Sequence, residues 1–204
     1  MEIVGLSGYA RSGKDEAAKV LVEEFGFTRV AFADKLREVL YQLNPILDAR
    51  QVVYGTTGWN ETPTVVTQYT LLQNVIDAVG WDNYKSGPHG PEIRRLLQRL
   101  GTEAGRQTLW DSIWVDAAFA NATEDSRIVV TDCRFPNEAE AIKSRGGVIW
   151  RIERRGVGPA VGTDGTVHPS ETSLDDWKFD DIIYNTGPLD AYHRKIRKVY
   201  ESRI

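Results

Sequence analysis

Residues 2–25 read EIVGLSGYARSGKDEAAKVLVEEF, and three patterns follow one another within them. Glu2 to Ser7 is a short, largely apolar run that meets a glycine-bounded turn, the pattern of a buried strand. Gly8 to Gly13 is that turn. Lys14 to Phe25 carries Ala17, Ala18, Leu21 and Val22 at helical spacing, and Gly26 follows as a stop signal. The segment Gly8-Tyr9-Ala10-Arg11-Ser12-Gly13-Lys14 satisfies G-x-x-x-x-G-K in the strand–turn–helix setting that the pattern requires. Backbone N–H groups in such a turn converge on phosphate oxygens, the helix N-terminus adds positive potential, and the lysine reaches the outermost phosphate. Glycine is needed where a Cβ would block that approach. Gly8, Arg11, Ser12, Gly13, Lys14 and Asp15 are therefore the candidate contacts to a nucleotide triphosphate, with Lys14 also a catalytic candidate.

Working outward, strands and helices alternate. Thr28 to Ala33 reads as a second strand, with Asp34 as the N-cap of a helix bearing Leu36, Val39, Leu40 and Leu43 and ending near Asn44-Pro45. Periodicity weakens from Asn44 to Pro91, where turn-rich stretches flank an expected helix from Val65 to Val79. Glu92 to Leu100 is an amphipathic helix that Gly101 interrupts or ends, and Leu109 to Ala120 reads as helix again. Arg127 to Thr131 is a continuous apolar strand ending in Asp132, Pro136 to Arg145 a short helix, and Val148 to Ile152 a strand. Arg154 to Thr166 is rich in Gly and Arg and lacks periodicity. Phe179 to Tyr184 and Leu189 to Tyr200 supply a last strand and a closing helix. The expected fold is α/β: a P-loop three-layer sandwich on a mainly parallel sheet with a helical insertion. It is expected as one domain over 1–204, with the insertion at about 44–110.

Composition agrees with a folded chain of this size. Hydrophobic residues make up 41% and charged residues 26% of 204, which disfavours disorder. A net charge of -4 argues against binding to bulk nucleic acid. The single cysteine, Cys133, can form no intrachain disulfide and no multi-cysteine zinc site, which fits a reducing cytoplasm. No apolar run is long enough to span a membrane. The expected partners are small nucleotides, with a homodimer compatible with the reading.

Asp15 stands where the common pattern has Ser or Thr, whose hydroxyl ligates Mg²⁺. A carboxylate there can hold the metal directly or through water, or it can simply complement the helix dipole. Asp132, at the end of its strand, occupies the place of the carboxylate that orients hydrated Mg²⁺, and Arg134 follows two residues later. Asp15 and Asp132 are thus the metal candidates, and both join Lys14 and Arg134 in the catalytic set. Asn137 and Glu138 follow in the same block, and Glu138 reads as a helix-start residue.

GLSGYARSGKDEAA resembles the deoxynucleoside monophosphate kinases of bacteriophages, and its G-K-D element is also similar to that of animal-type phosphomevalonate kinases. FADKLRE, LLQRLGTEAGR, VVTDCRFPNEAEAIKSRGG and HPSE extend the first resemblance over nearly all of the chain outside 44–91. The resemblance implies a fold of nucleoside monophosphate kinase type with a lid at about 154–176, and transfer of the γ-phosphoryl group of ATP, carried with Mg²⁺, to a deoxynucleoside monophosphate, in the host cytoplasm if the gene is a phage's. It raises Asp34, Arg37, Gln98, Thr102, Glu103, Arg106, Arg134, Arg151, His168 and Glu171 as substrate contacts. Arginines suit a phosphorylated acceptor because they hold it in line through bidentate hydrogen bonds. Two other readings remain open at this point: a kinase for another phosphorylated metabolite such as phosphomevalonate, and a nucleotide-binding ATPase or switch that transfers nothing.

Overall fold

The computed structural model describes residues 1–54, 64–161, 165–167 and 169–203. In chain order its elements are β1 (Glu2–Ser7), α1 (Lys14–Phe25), β2 (Thr28–Val30), α2 (Phe32–Leu43), β3 (Ile46–Tyr54), β4 (Thr64–Leu71), α3 (Leu72–Asn83), α4 (Gly90–Gln98), α5 (Ile113–Phe119), β5 (Arg127–Val130), α6 (Pro136–Ser144), β6 (Val148–Glu153), α7 (Pro169–Thr172), β7 (Asp181–Tyr184) and α8 (Leu189–Glu201). The chain divides into two compact units, Met1–Asp34 with Ser112–Ile204, and Lys35–Asp111.

The first unit is built on a five-stranded sheet in the order β2-β5-β1-β6-β7, with every pairing parallel. Period-two alternation sends successive residues to opposite faces. Val4, Leu6, Val129, Trp150 and Ile152 pack with Ala17 and Leu21 of α1 and Tyr192 and Ile196 of α8. Ile3, Ile128, Val130 and Ile149 pack on the other side with Val115 and Phe119 of α5 and Ala139 and Ile142 of α6. Two helical layers over a parallel sheet make the expected three-layer α/β sandwich, and β1 is its central strand. The turn that follows β1 therefore opens at the C-terminal edge of the sheet, where α/β proteins bind ligands.

The second unit has its own apolar cluster of Leu40, Leu72, Ile76, Tyr84 and Ile93. It is less helical than expected. Residues 65–71 form β4, paired antiparallel with β3, rather than the first half of a helix. Val65, Val66 and Tyr69 imitate one helical face, but the segment is rich in β-branched and aromatic residues and finds a partner in ILDARQVVY. Helix α3 begins only at Leu72. Gly101 does not end the following helix either: α4 runs into a wider, π-type turn sequence over Arg99–Leu109. There Gly101 is buried, with Leu36 Cδ2 3.0 Å from where a Cβ would stand, so the absence of a side chain serves packing. The break comes at Trp110, in extended conformation, and α5 starts at Ile113 rather than Leu109.

One boundary in the first unit also differs. The strand expected over Thr28–Ala33 stops at Val30, and α2 begins at Phe32, so Asp34 lies in the first helical turn and is not its N-cap. The cap comes from the end of the neighbouring strand β5: Asp132 Oδ1 accepts the N–H of Phe32 at 2.8 Å and Oδ2 that of Ala33 at 3.0 Å. Of the lid expected at about 154–176, the described part contains a bridge between Val161 and Val167 and the single turn of α7.

Candidate active site

The turn between β1 and α1 is shaped by backbone conformations that few residues tolerate. Gly8 has φ 141°, Gly13 φ 110°, and Arg11, not a glycine, has φ 65°. A non-glycine residue held there is often found where function demands it. Lys14 folds back over the turn, its Nζ donating to Gly8 O and Tyr9 O, both at 2.8 Å. Burial, and next the Arg134 guanidinium, push the Lys14 amine down to about 8. Ser12 Oγ is buried without a hydrogen-bond partner among the described residues. An orphaned hydroxyl, a lysine beside a second cation and a turn held in positive-φ conformations together fit an anionic ligand. Asp15 is exposed in the first turn of α1.

Asp132 and Arg134 follow the end of β5. Both Asp132 oxygens serve α2, as described, and burial holds its carboxyl above the usual carboxylate range against the pull of those N–H groups and of Arg134. Each oxygen retains a second lone pair. Replacing Asp132 by Ala orphans two helix N–H groups and is expected to cost about 1–2 kcal/mol. Asn, which keeps one acceptor oxygen, should cost less in the same thermal melt, and equal stability of all three proteins would remove the capping role. Glu138, buried, accepts the N–H groups of Arg134 and Phe135 on Oε2 at 2.8 and 3.1 Å, and so fixes the backbone that presents Arg134. The Arg134 side chain pairs with Glu171 of α7 at 3.1 Å. Glu171 and Arg134 both act electrostatically on Lys14, so these three sequence candidates gather at one place.

Arg151 also acts electrostatically on Lys14, from a largely buried position. Its side chain is 7% exposed, stacked 4.6 Å from the Tyr9 ring and 5.5 Å from that of Phe179, and bonded to Asp175 at 2.8 Å. The Tyr9 hydroxyl donates to the same carboxylate at 2.9 Å. Asp34 accepts from Ala31 N and Arg29, close enough to Asp132 to raise its pKa slightly. His168 lies outside the described residues.

The remaining candidates belong to the second unit. Arg37 lies 5.9 Å from the Trp81 ring centre. Gln98 closes α4, and Thr102, Glu103 and Arg106 follow on the π-type turns, with Arg99 3.5 Å from Glu103. An i→i+5 pattern brings side chains four and five apart toward one face, which are the separations of Gln98 from Thr102 and Glu103 and of Thr102 from Arg106. Helical pattern reading missed this, because hydrophobic spacing does not distinguish the two helix types over so short a run. It also passed over Tyr9, Asp175, Asn185 and Tyr192, whose partners are 166 to 179 residues away. The one usable signal was position: Asn185 directly follows a strand at the sheet's C-terminal edge.

A glycine-rich anion cradle closing the central strand of a parallel sheet, with a lysine at the first turn of the next helix, places the chain among the P-loop nucleotide-binding proteins. Comparison with known sequences narrows the class. The model of the deoxynucleotide monophosphate kinase family matches residues 53–196, and the chain belongs to that family. As a member it is a nucleotide kinase that phosphorylates deoxynucleoside monophosphates. A relative from Acanthamoeba polyphaga mimivirus is 29% identical over 211 residues, covering 96% of this chain and 94% of its own. The deoxynucleoside-5'-monophosphate kinase of Escherichia phage T5 is 25% identical over 84% of each chain. The deoxynucleotide monophosphate kinase of Escherichia phage RB69 is 23% identical over 98% of this chain and 99% of its own. Among solved structures, dephospho-CoA kinase from Campylobacter jejuni is 12% identical, covers 99% of this chain and 97% of that one, and has a TM-score of 0.44.

Proposed function

We propose that the donor is ATP bound with Mg²⁺, that Gly8 to Lys14 hold its phosphates, and that an oxygen of the acceptor's own phosphate attacks the γ-phosphorus in line. The bond to the β–γ bridging oxygen breaks, ADP leaves, and a deoxynucleoside diphosphate forms. The observation that carries this reading is the turn around Lys14: its amine is held on the carbonyls of Gly8 and Tyr9, partly buried and beside Arg134, with the buried Ser12 hydroxyl lacking a partner among the described residues, and that set suits an anionic ligand. The acceptor oxygen is already ionised near neutral pH and needs no strong base, so positioning and charge neutralisation perform the catalysis. Arg134 is read as the cation that meets the acceptor phosphate near the transferring group. The arm around α7, which brings Glu171 to it, is read as a cover against water. Arg37, Gln98, Thr102, Glu103 and Arg106 are read as the groups that hold the acceptor, and the chain as one kinase domain with its insertion.

No cluster of three or more His, Cys, Asp or Glu side chains able to hold a metal occurs among the described residues. That suits Mg²⁺, which binds through one or two carboxylates together with substrate phosphates. Asp15, exposed and next to Lys14, is the fitting direct or water-mediated ligand, and Asp132 can act through water with its remaining lone pairs. When bound at these residues, Mg²⁺ would supply neutralisation of charge on the substrate phosphates. Asp15→Asn should accordingly cut turnover and raise the Mg²⁺ concentration for half-activity. A helix-dipole role alone predicts about 0.3–1 kcal/mol of lost stability with catalysis spared. A Mg²⁺ titration paired with a thermal melt separates the two.

The net charge of -4 supports small nucleotides over bulk nucleic acid as partners. No described helix is long and apolar enough to cross a membrane, and a cytoplasmic setting, the host's if the gene is a phage's, matches where both substrates occur. ADP release measured by a coupled assay against dAMP, dCMP, dGMP, dTMP, their ribose counterparts and phosphomevalonate tests the reading. Turnover with one or more deoxynucleotides is expected. Turnover only with phosphomevalonate, or ATP hydrolysis indifferent to any acceptor, would refute it.

A further inference from the structure

Two polar side chains near the C-terminal end have no part in the chemistry above, yet both hold the phosphate turn. Asn185 Nδ2 donates to Ser12 O at 2.8 Å, and Tyr192 OH donates to Gly13 O at 3.0 Å. Neither contact is casual. Tyr192 is fully buried within the core between α1 and α8. Asn185 is fixed by its own N–H, which donates to Glu153 O at 2.7 Å just past the last β6–β7 pair. The two side chains also fill the space beside Gly13: a Cβ there would stand 2.4 Å from Asn185 Nδ2 and 3.4 Å from the Tyr192 ring. Next to Tyr192, His193 meets Glu16 at 2.8 Å and ties α8 to the start of α1.

A trans peptide unit carries its C=O and its N–H on opposite sides, and every described peptide bond is trans. Drawing the carbonyls of Ser12 and Gly13 toward Asn185 and Tyr192 therefore turns the N–H groups of Gly13 and Lys14 the other way. Those are the donors expected to face the phosphates. Gly13 is the softest link in the turn, because glycine crosses conformational space that other residues cannot enter. The Gly13–Lys14 unit is aimed in part by α1, because Gly13 O also accepts the N–H of Ala17 at 3.0 Å, and Tyr192 adds a second donor to it; without Asn185 the Ser12–Gly13 unit would sample several directions, and a ligand would have to order it on binding.

We propose that Asn185 and Tyr192 are positioning residues that set the direction of the phosphate-binding N–H groups before the nucleotide arrives. This rests on the P-loop kinase reading given above. It predicts a selective defect. In the full chain, Asn185→Ala and Tyr192→Phe should each weaken binding of ATP, and equally of inorganic tripolyphosphate, by about three- to tenfold. Affinity for the deoxynucleoside monophosphate should stay within about twofold. Tripolyphosphate probes the cradle without base or sugar, so an equal loss for both ligands assigns the defect to the turn. Calorimetry gives the affinities, and thermal melts confirm folding; Asn185→Ala carries the test should Tyr192→Phe fail to fold.

Unchanged tripolyphosphate affinity in folded variants overturns the proposal. So does weakening confined to ATP, which would put the residues on the base, and so does equal weakening of donor and acceptor, which would mean general loosening. Lys14→Ala run alongside keeps the two readings apart. Wild-type turnover in that variant removes the kinase role of the turn, whereas wild-type tripolyphosphate affinity in the other two removes only the anchors.

Discussion

Lys14→Ala is expected to lower turnover at least about a hundredfold, equivalent to about 2.7 kcal/mol of transition-state stabilisation, in a protein that still folds. Lys14 Nζ donates to the carbonyls of Gly8 and Tyr9, which hold the ammonium over the turn. Charge that develops on the transferring phosphoryl oxygens replaces those carbonyls as its partner. The same residue predicts a proton count. With a pKa lowered to about 8 in the free protein, Lys14 is neutral in part at pH 8, and a bound phosphate raises the pKa again. Binding of ATP near pH 8 should therefore take up a proton fraction, and the uptake should vanish in Lys14→Ala. Calorimetry in buffers of different ionisation enthalpy measures it. At pH 6.5, where the free amine is already charged, little uptake is expected. A folded Lys14→Ala protein with near-normal turnover would sink the assignment of the turn.

Gly8→Ala should be the most damaging single methyl in the chain's phosphate turn. The new Cβ would lie 2.4 Å from Ile152 O and 2.9 Å from Ser12 Oγ, on a backbone at φ 141°. Ile152 belongs to β6, which is paired on both sides, so its carbonyl cannot retreat without disturbing the sheet. Backbone strain and overpacking each cost about 1–3 kcal/mol, and a domain of this kind has about 5–15 kcal/mol in all. A melting temperature lowered by many degrees and loss of triphosphate binding are expected. Gly26→Ala is the control: its φ is 71° and nothing lies within 4 Å of the added methyl, so only the left-handed cap conformation is taxed. Comparable melts for the two variants would contradict the close approach at Gly8.

Local order along the chain made much of this protein legible. The turn Gly8–Lys14 declares itself because its function depends on residue types at fixed spacing, and because strand and helix periodicities flank it without interruption. The parallel strands β1, β5 and β6 were legible for a related reason: buried on both faces, they read as apolar runs whose identity does not depend on their neighbours. Candidate cations and carboxylates at strand ends followed from the geometry of any such sheet.

What pairs over long distances was decided only by the tertiary structure. Residues 65–71 have side chains that suit either a helical face or a strand, and only ILDARQVVY lying alongside selects the strand, since cross-strand contacts, not local propensity, stabilise it. The start of α2 moved to Phe32 because its cap, Asp132, is a hundred residues away in sequence. Arg151 looks in sequence like any exposed arginine, and becomes a buried strut only when Tyr9, Asp175 and Phe179 surround it. Asn185 and Tyr192 carry no motif at all. A hydrogen bond to a backbone carbonyl makes no demand on the partner's identity, so the sequence around Gly13 holds no trace of what fastens it, and the fold alone brings the two ends of the chain together there.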